Sequence, residues 1–482
     1  MRARLVLGSG AAVRGILFAI ALLAPAAAAA QLGPEAALAT PHGFVGRMVV
    51  SPVHGPPGTP VQVAAEGLPA DADFQLAWRT VKGSWKVAQA EYHGREYTPA
   101  GFEIATLTTD ASGRLAATFT APEDFGFQHD VVLQQGERLY NQAGSSVDMS
   151  VSLSPASGPV GTLITVEVKG IGWRPLESSW MLLYDNHFTG WISAVTTAGS
   201  ATFTIPAAGG PGLHVLEVLH GEFTFPYRNM QQSPEGDRPH FVRHFTVTPG
   251  APVLPPPVSA EAQQSVRRLP APGGLAVTPI FAGVGDRVMV SGGGFTPGKH
   301  YQLAWTTTIG NRVGGHGWNE ASRPVAEAVA DSSGRLKFDF AAPDDLGGAH
   351  TMSAGDGAEE QTGSFWIKPT AFPLDVERGP PGTQTTVHLK GVGWTETANI
   401  YTVVYDNSYI GYVCAFNSQG DVEIPLQATG DPGWHFIDLY PAIYRGEEQR
   451  PRNFLIPQLT YAADHPGEDL PRFRFAFEVT EE

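Results

Sequence analysis

Leu153-Ser-Pro-Ala-Ser-Gly-Pro-Val-Gly-Thr162 runs directly into Leu163-Ile-Thr-Val-Glu-Val-Lys-Gly-Ile-Gly-Trp173. Residues 164–168 alternate apolar and polar side chains, the pattern of a strand with one buried face. The Pro and Gly residues before it and the Gly-x-Gly after it are turn signals. The same phrase returns 221 residues later as Gly379-Pro-Pro-Gly-Thr383 and Lys390-Gly-Val-Gly-Trp394. Working outward, other recurring elements keep that spacing. Tyr184-Asp-Asn186 returns as Tyr405-Asp-Asn407, and Pro211-Gly-Leu-His214 as Pro432-Gly-Trp-His435. Ser112-Gly-Arg-Leu115 returns as Ser333-Gly-Arg-Leu336, and Ala121-Pro-Glu-Asp124 as Ala342-Pro-Asp-Asp345. The chain is a tandem duplication.

Each half holds two related units. Opening phrases at Val50–Thr59 and Val277–Asp286 precede those at Leu153 and Gly379, so the order is A-B-A-B. Strand-like alternation dominates, as in Ala201-Thr-Phe-Thr-Ile205 and Leu336-Lys-Phe-Asp-Phe340. The fold class is all-β with little helix; the best helical candidate, Ser259–Val266, lies in a linker. Asp110-Ala-Ser-Gly113 and Asp331-Ser-Ser-Gly334 read as hairpin turns, with Gly free to take positive φ. The 56 glycines and 40 prolines, a fifth of the 482 residues, are therefore punctuation rather than a sign of disorder. Junctions within each half are short, whereas Pro-rich sequence separates the halves. That spacing predicts two stiff rods joined by an extended spacer.

The phrase Ser-Pro-x-x-Gly-Pro-x-Gly-Thr, an alternating strand, then Gly-x-Gly-aromatic resembles bacterial immunoglobulin-like domains of the IPT/TIG kind. The resemblance covers all four units, more loosely the first and third; Glu66-Gly-Leu-Pro69 replaces the Gly-x-Gly element in the first. It implies four Ig-like β-sandwich domains in tandem, placed at 45–148, 149–248, 273–368 and 369–482. Residues 31–44 then form an N-terminal tail and 249–272 a linker. Domains of this kind serve in surface proteins, in adhesins and as spacers beside catalytic domains, so the fold alone does not fix the function.

Residues 1–30 read as a secretory signal. Arg2, Arg4 and Arg14 precede an apolar run from Gly15 to Ala30, with small residues at Ala28 and Ala30 before Gln31. The run is shorter than a bilayer requires, so no membrane span is expected after processing. The expected location is secreted, periplasmic or cell-surface. Losing three arginines with the signal takes the formal charge from −16 to −19. A surface that negative repels phosphate backbones, which excludes nucleic acid as a partner. A single cysteine, Cys414, excludes internal disulfides; its alternating context reads as a buried small hydrophobe.

No nucleophile elbow, phosphate-binding loop or metal-ligand spacing is present, so the chain reads as a non-enzyme without cofactor or metal. His129 and His350 occupy matching positions, as do His214 and His435. They read as backbone-capping, packing residues. His240 and His244 lie about 13 Å apart along a strand, too far for one metal. Asp185-Asn186 and Asp406-Asn407 read as turns. Trp78, Trp305, Trp173 and Trp394 recur in motif positions and read as core. Trp85, Tyr92, Tyr97 and Trp318, in irregular stretches, and Tyr227 and Tyr444, in the loops before the last strand of each half, are the candidate ligand-binding residues. The reading is a surface or extracellular protein for binding, adhesion or spacing, with a protein or glycan as partner. The alternative is a glycan-binding protein using these loop aromatics; a hydrolase or metal-dependent enzyme ranks below both.

Overall fold

The computed structural model describes residues 43–481, apart from 89, 223–224, 230, 233–237, 257–258, 262–268, 270–272, 311–317 and 445–454. Residues 1–30, nearly all of the tail and half of the linker lie outside the described residues. Those described form four β-sandwiches. Their one helical element is a single 3-10 turn, Gly357–Glu359.

The first sandwich shows the plan. Its strands are β1 (Arg47–Ser51), β2 (His54–Gly55), β3 (Pro60–Glu66), β4 (Asp73–Ala88), β5 (Glu91–Thr108), β6 (Leu115–Thr120), β7 (Phe127–Gln135) and β8 (Arg138–Val147). A three-stranded sheet, β1-β3-β6, faces a five-stranded one, β2-β8-β7-β4-β5. Val61, Val63 and Ala65 of β3 are buried while Pro60, Gln62, Ala64 and Glu66 are exposed, the period-two pattern of a strand packed on one face. They meet Phe74, Leu76 and Trp78 of β4 and Val131 and Leu133 of β7 to form the core.

The opening phrase carries the chain from one sheet to the other. β1 pairs antiparallel with β3, and two residues later β2 pairs parallel with β8. Thr59 Oγ1 closes the turn by donating to Pro56 O at 2.7 Å, and Thr162 does the same to Pro159 O. A Cβ on Gly55, Gly158 or Gly379 would collide with the Thr four residues on, which explains the Gly-x-x-x-Thr spacing. The other three sandwiches repeat this plan around the strands Leu163–Lys169, Arg287–Gly293 and Gln384–Lys390.

The duplicated motifs touch one another. Gly126, two residues after Asp124, donates its N–H to Ile171 O at 3.1 Å; Gly347 donates to Val392 O at 3.0 Å. A Cβ on Gly126 would strike Gly170 O, and one on Gly347 would strike Gly391 O. The end of each Ala-Pro-x-Asp phrase therefore docks, backbone on backbone, against the Gly-x-Gly of the next sandwich. That contact stiffens each pair.

Four expectations need correction. The Asp110 and Asp331 turns do not close hairpins; each joins strands of opposite sheets, with Asp110 Oδ1 accepting from Ser112 N and Arg114 N. Asp185-Asn186 and Asp406-Asn407 do close two-residue hairpins, and all four residues have positive φ, as a type I′ turn requires. Within the helical candidate, Ser259–Glu261 is a strand that pairs antiparallel with Arg472–Arg474 of the fourth sandwich. Cys414 is partly exposed at the end of its strand rather than buried. Finally, the halves are not separate rods. The second and fourth sandwiches pack side by side, with Val404, Tyr440 and Leu459 joining the second sandwich's core cluster.

Arg472 Nη1 donates to Thr204 O at 2.6 Å across that contact, and Asn407 Nδ2 to Pro206 O at 2.8 Å. Such links hold the halves together where sequence spacing predicts only a tether. Replacing Gly126 or Gly347 by Ala should destabilise the corresponding pair by about 1–3 kcal/mol through overpacking. Chemical denaturation reads the loss, and limited proteolysis should show faster cleavage between the paired sandwiches.

Candidate functional site

Strands β4 and β5 are far longer than their sheet partners. Their distal ends form an arm that leaves the first sandwich and lies against the second and fourth. Gly83, midway along it, approaches Val195 O so closely that a Cβ would clash. At its tip, Tyr92 N donates to Glu396 Oε2 at 2.7 Å, and Glu396 N donates back to Ala90 O at 3.0 Å. Arg95 Nη1 donates to Ser178 Oγ at 2.9 Å.

Asp464, from the loop before the last strand, sits where the arm meets both other sandwiches and is 1% exposed. Its Oδ1 accepts from Trp85 Nε1 at 2.9 Å, Thr196 N at 2.9 Å and Thr196 Oγ1 at 2.8 Å, while Oδ2 accepts from Val195 N at 2.7 Å. Beside it the loop pairs with the exposed edge of the strand His187–Ile192. Trp191 N donates to Pro457 O at 2.7 Å, and Leu459 N donates to Trp191 O at 2.9 Å. Ser193 N donates to Thr460 Oγ1 at 3.0 Å.

The aromatic candidates group around these contacts. Trp85 packs edge-on against Trp191 at 6.1 Å and beside Tyr92 at 6.0 Å; Tyr92 is fully buried. Tyr97 lies against Trp173 at 6.0 Å, and Trp318 against Trp394 at 5.7 Å. Trp173 and Trp394 are thus half-buried junction residues rather than sandwich core, whereas Trp78 and Trp305 are fully buried core. Trp318 and Tyr444 share Phe416, at 5.7 and 5.6 Å. Trp85, Tyr92 and Tyr97 lie in regular β-structure, and Trp318 begins a strand, so these are not irregular loops. Tyr227 stands apart, half-buried in a small depression with His220, Arg228 and His240. All but Tyr227 therefore have ring contacts within the chain.

The paired histidines cap backbone. His129 stacks on Trp78 at 4.6 Å with its ring nitrogens facing Phe125 O and Arg79 O; His350 does the same against Trp305, Leu346 O and Thr306 O. Burial pushes the His350 imidazole below its ordinary pKa. His435 differs, because Nδ1 meets Asp406 Oδ2 at 2.5 Å and Nε2 meets Asp431 O at 2.9 Å. Burial opposes its protonation, but the hydrogen bond to Asp406 and that carboxylate's charge win, so its pKa is raised. Among the described residues, no three metal-ligating side chains come together. Also among them, no helix is long and apolar enough to cross a membrane.

Asp464 and Trp191 escaped the sequence reading. One signal for Asp464 was available: across its loop the offset between halves grows from 221 to 232 residues, marking an insertion in the second half only.

No protein-family model matches the chain, and no curated protein matches it. Among solved structures, it is similar to Salmonella α2-macroglobulin reacted with methylamine at 9% identity and a TM-score of 0.19. That match covers 91% of this chain and 31% of the other, so the chain spans about a third of that protein's length. The D1–D4 ectodomain fragment of ICAM-5 matches at 13% identity over 85% of this chain and 97% of that one, with a TM-score of 0.17. A putative membrane anchored protein from Corynebacterium diphtheriae matches at 10% identity over 67% and 89%, with a TM-score of 0.18. Likeness at this level fixes no activity.

Asp464→Ala should leave the Trp85 indole and two backbone N–H groups without an acceptor. We expect a loss of about 3–5 kcal/mol at ~1–3 kcal/mol per stranded group, read by denaturation, with a larger maximum dimension in solution scattering. His435 predicts a pH dependence. Its folded pKa lies above the unfolded one, so its contribution is complete below about 6.5 and disappears as pH rises through the folded value. His435→Gln should therefore cost about 1–2 kcal/mol near pH ~5.5 and much less near pH ~8.5, measured by urea denaturation at each pH.

Proposed function

We propose that the chain is an exported, non-enzymatic binding protein of the cell surface or extracellular space. We take its units as Ig-like domains of the IPT/TIG kind at 45–148, 149–248, 273–368 and 369–482. One observation carries the reading: the second and fourth sandwiches are hydrogen-bonded side by side, and the arm of the first is locked onto both. A spacer gains reach from units laid end to end. A chain folded back on itself loses reach and presents a broad, fixed surface instead, which suits binding or adhesion better than spacing. The signal-like residues 1–30 and the resemblance to domains used in surface proteins support the same reading.

Three measurements test it. A tagged full-length chain expressed in a bacterium should be recovered outside the cytoplasm with its N-terminus at Gln31, and the purified protein should adhere to intact cells or their extracellular matrix. Retention in the cytosol with the leader intact, or no adherence to cells or matrix, would overturn the reading. In solution scattering the protein should be markedly shorter than four sandwiches in a row.

A further inference from the structure

The seams inside the two pairs share a polar cluster but differ in its third member. In the first seam, Lys169 Nζ donates to Glu123 Oε2 at 2.9 Å, and Ser200 Oγ donates to Glu123 Oε1 at 2.8 Å. Glu123 belongs to the first sandwich, Lys169 and Ser200 to the second. Adding 221 to each number gives Asp344, Lys390 and Asp421. Lys390 Nζ donates to Asp344 Oδ2 and, at 3.5 Å, to Asp421 Oδ2. The hydroxyl that bridges the first seam is thus a carboxyl in the second.

The two groups differ in what they can donate. Ser200 carries a hydrogen at any pH, whereas an ionised carboxylate only accepts. Asp421 lies within hydrogen-bond reach of Asp344. Between two carboxylates that contact is repulsive until one of them takes up a proton. Asp421 Oδ1 is buried and has no hydrogen-bond partner. Burial, and then the charge of Asp344, hold the Asp421 carboxyl above its ordinary value against the pull of Lys390. Lys169 and Ser200 hold the Glu123 carboxyl below its ordinary value.

The other charges nearby are engaged elsewhere. On the third sandwich, Arg323 Nη2 meets Asp344 O at 3.5 Å and Asp345 Oδ2 at 3.3 Å. Asp345 also accepts from Trp305, Thr307 and Gln419. On the fourth, two residues along from the cluster, His388 meets Asp375 at 3.0 Å and Glu423 at 3.9 Å. Among the described residues, Lys390 is the one cation bonded to Asp421.

We propose that the seam between the third and fourth sandwiches is a pH-sensitive joint: Asp344 and Asp421 share a proton across it in mild acid and repel each other when both are ionised, while the seam between the first and second sandwiches holds at either pH. Because the folded value of Asp421 is raised, its contribution is complete below about 3.9, the unfolded value, and is lost as pH rises through the folded one. Acid therefore tightens the second pair and not the first.

Hydrogen exchange on the intact chain, corrected for intrinsic rates, tests this. Gly347 N–H, bonded to Val392 O, reports on the second seam, and Gly126 N–H, bonded to Ile171 O, on the first. Lowering the pH from ~7.5 to ~4.5 should raise the protection of Gly347 relative to Gly126 about two- to fivefold, the scale of a solvent-screened pair. Asp421→Ser, which copies the first seam, should remove that change. Asp421→Asn, whose neutral amide donates, should hold Gly347 at its acid protection at both pH values. Ser200→Asp should make Gly126 pH-sensitive in the same direction. A ratio that stays constant between the two pH values would overturn the proposal. So would a change that survives in Asp421→Ser, or a Gly126 that stays insensitive in Ser200→Asp. If Asp421→Ser does not fold, a change that survives in Asp421→Asn counts against the joint equally.

Discussion

The carboxylate of Asp464 is the point at which three sandwiches become one body. It is a buried charge, and no cation lies among the groups bonded to it; an indole, a hydroxyl and two backbone amides hold it instead. Hydrogen bonds to the ionised form offset the penalty of removing a carboxylate from water. The arrangement works only if the first sandwich delivers Trp85, the second delivers Val195 and Thr196, and the fourth delivers Asp464 itself. Misplacing any one leaves polar groups buried and unpaired in the others. That mutual dependence specifies one arrangement of units that, by their sandwich folds alone, could sit together in many ways.

The same contact handles the exposed edges that sandwiches carry. An unpaired edge strand invites pairing with other chains. Here the strand His187–Ile192 is covered at Trp191 by Pro457 and Leu459 of the fourth sandwich, and the last strand of that sandwich is covered by Ser259–Glu261 from the linker. Each half thus protects the other with backbone hydrogen bonds, which do not depend on side-chain identity. The buried pair Arg474–Asp438 lies beside the second of these covers.

Much of the fold was legible because it is local. Alternation in Ile164–Val168 determines which side chains face the core, and the repeated phrases determine how many units there are. What faces the other side is a non-local fact. Gly170 was visible as part of one repeated motif and Gly126 lies just beyond another, yet nothing in either motif says that it touches the other. Trp85 and Trp318 read as exposed rings because their stretches lack a clean period; in fact bulges and long hairpins carry them to neighbouring sandwiches, as the register shifts in β4 and β5 record. The change of offset marks the loop that carries Asp464, but its role was hidden because its partners lie up to 379 residues away in sequence.

The pairing of Trp191 with Pro457 and Leu459 also has a meaning in time. A chain synthesised from its N-terminus presents Trp191 long before the segment that covers it; Ser193 and its partner Thr460 are 267 residues apart. During that interval the second sandwich stands complete but with one edge open, and the strand Ser259–Glu261 waits for a sheet not yet made. Contacts this distant close slowly, because the intervening loop must be gathered first. The finished molecule's tight seams are therefore the last to form, and the half-made chain is the state most exposed to pairing with its neighbours.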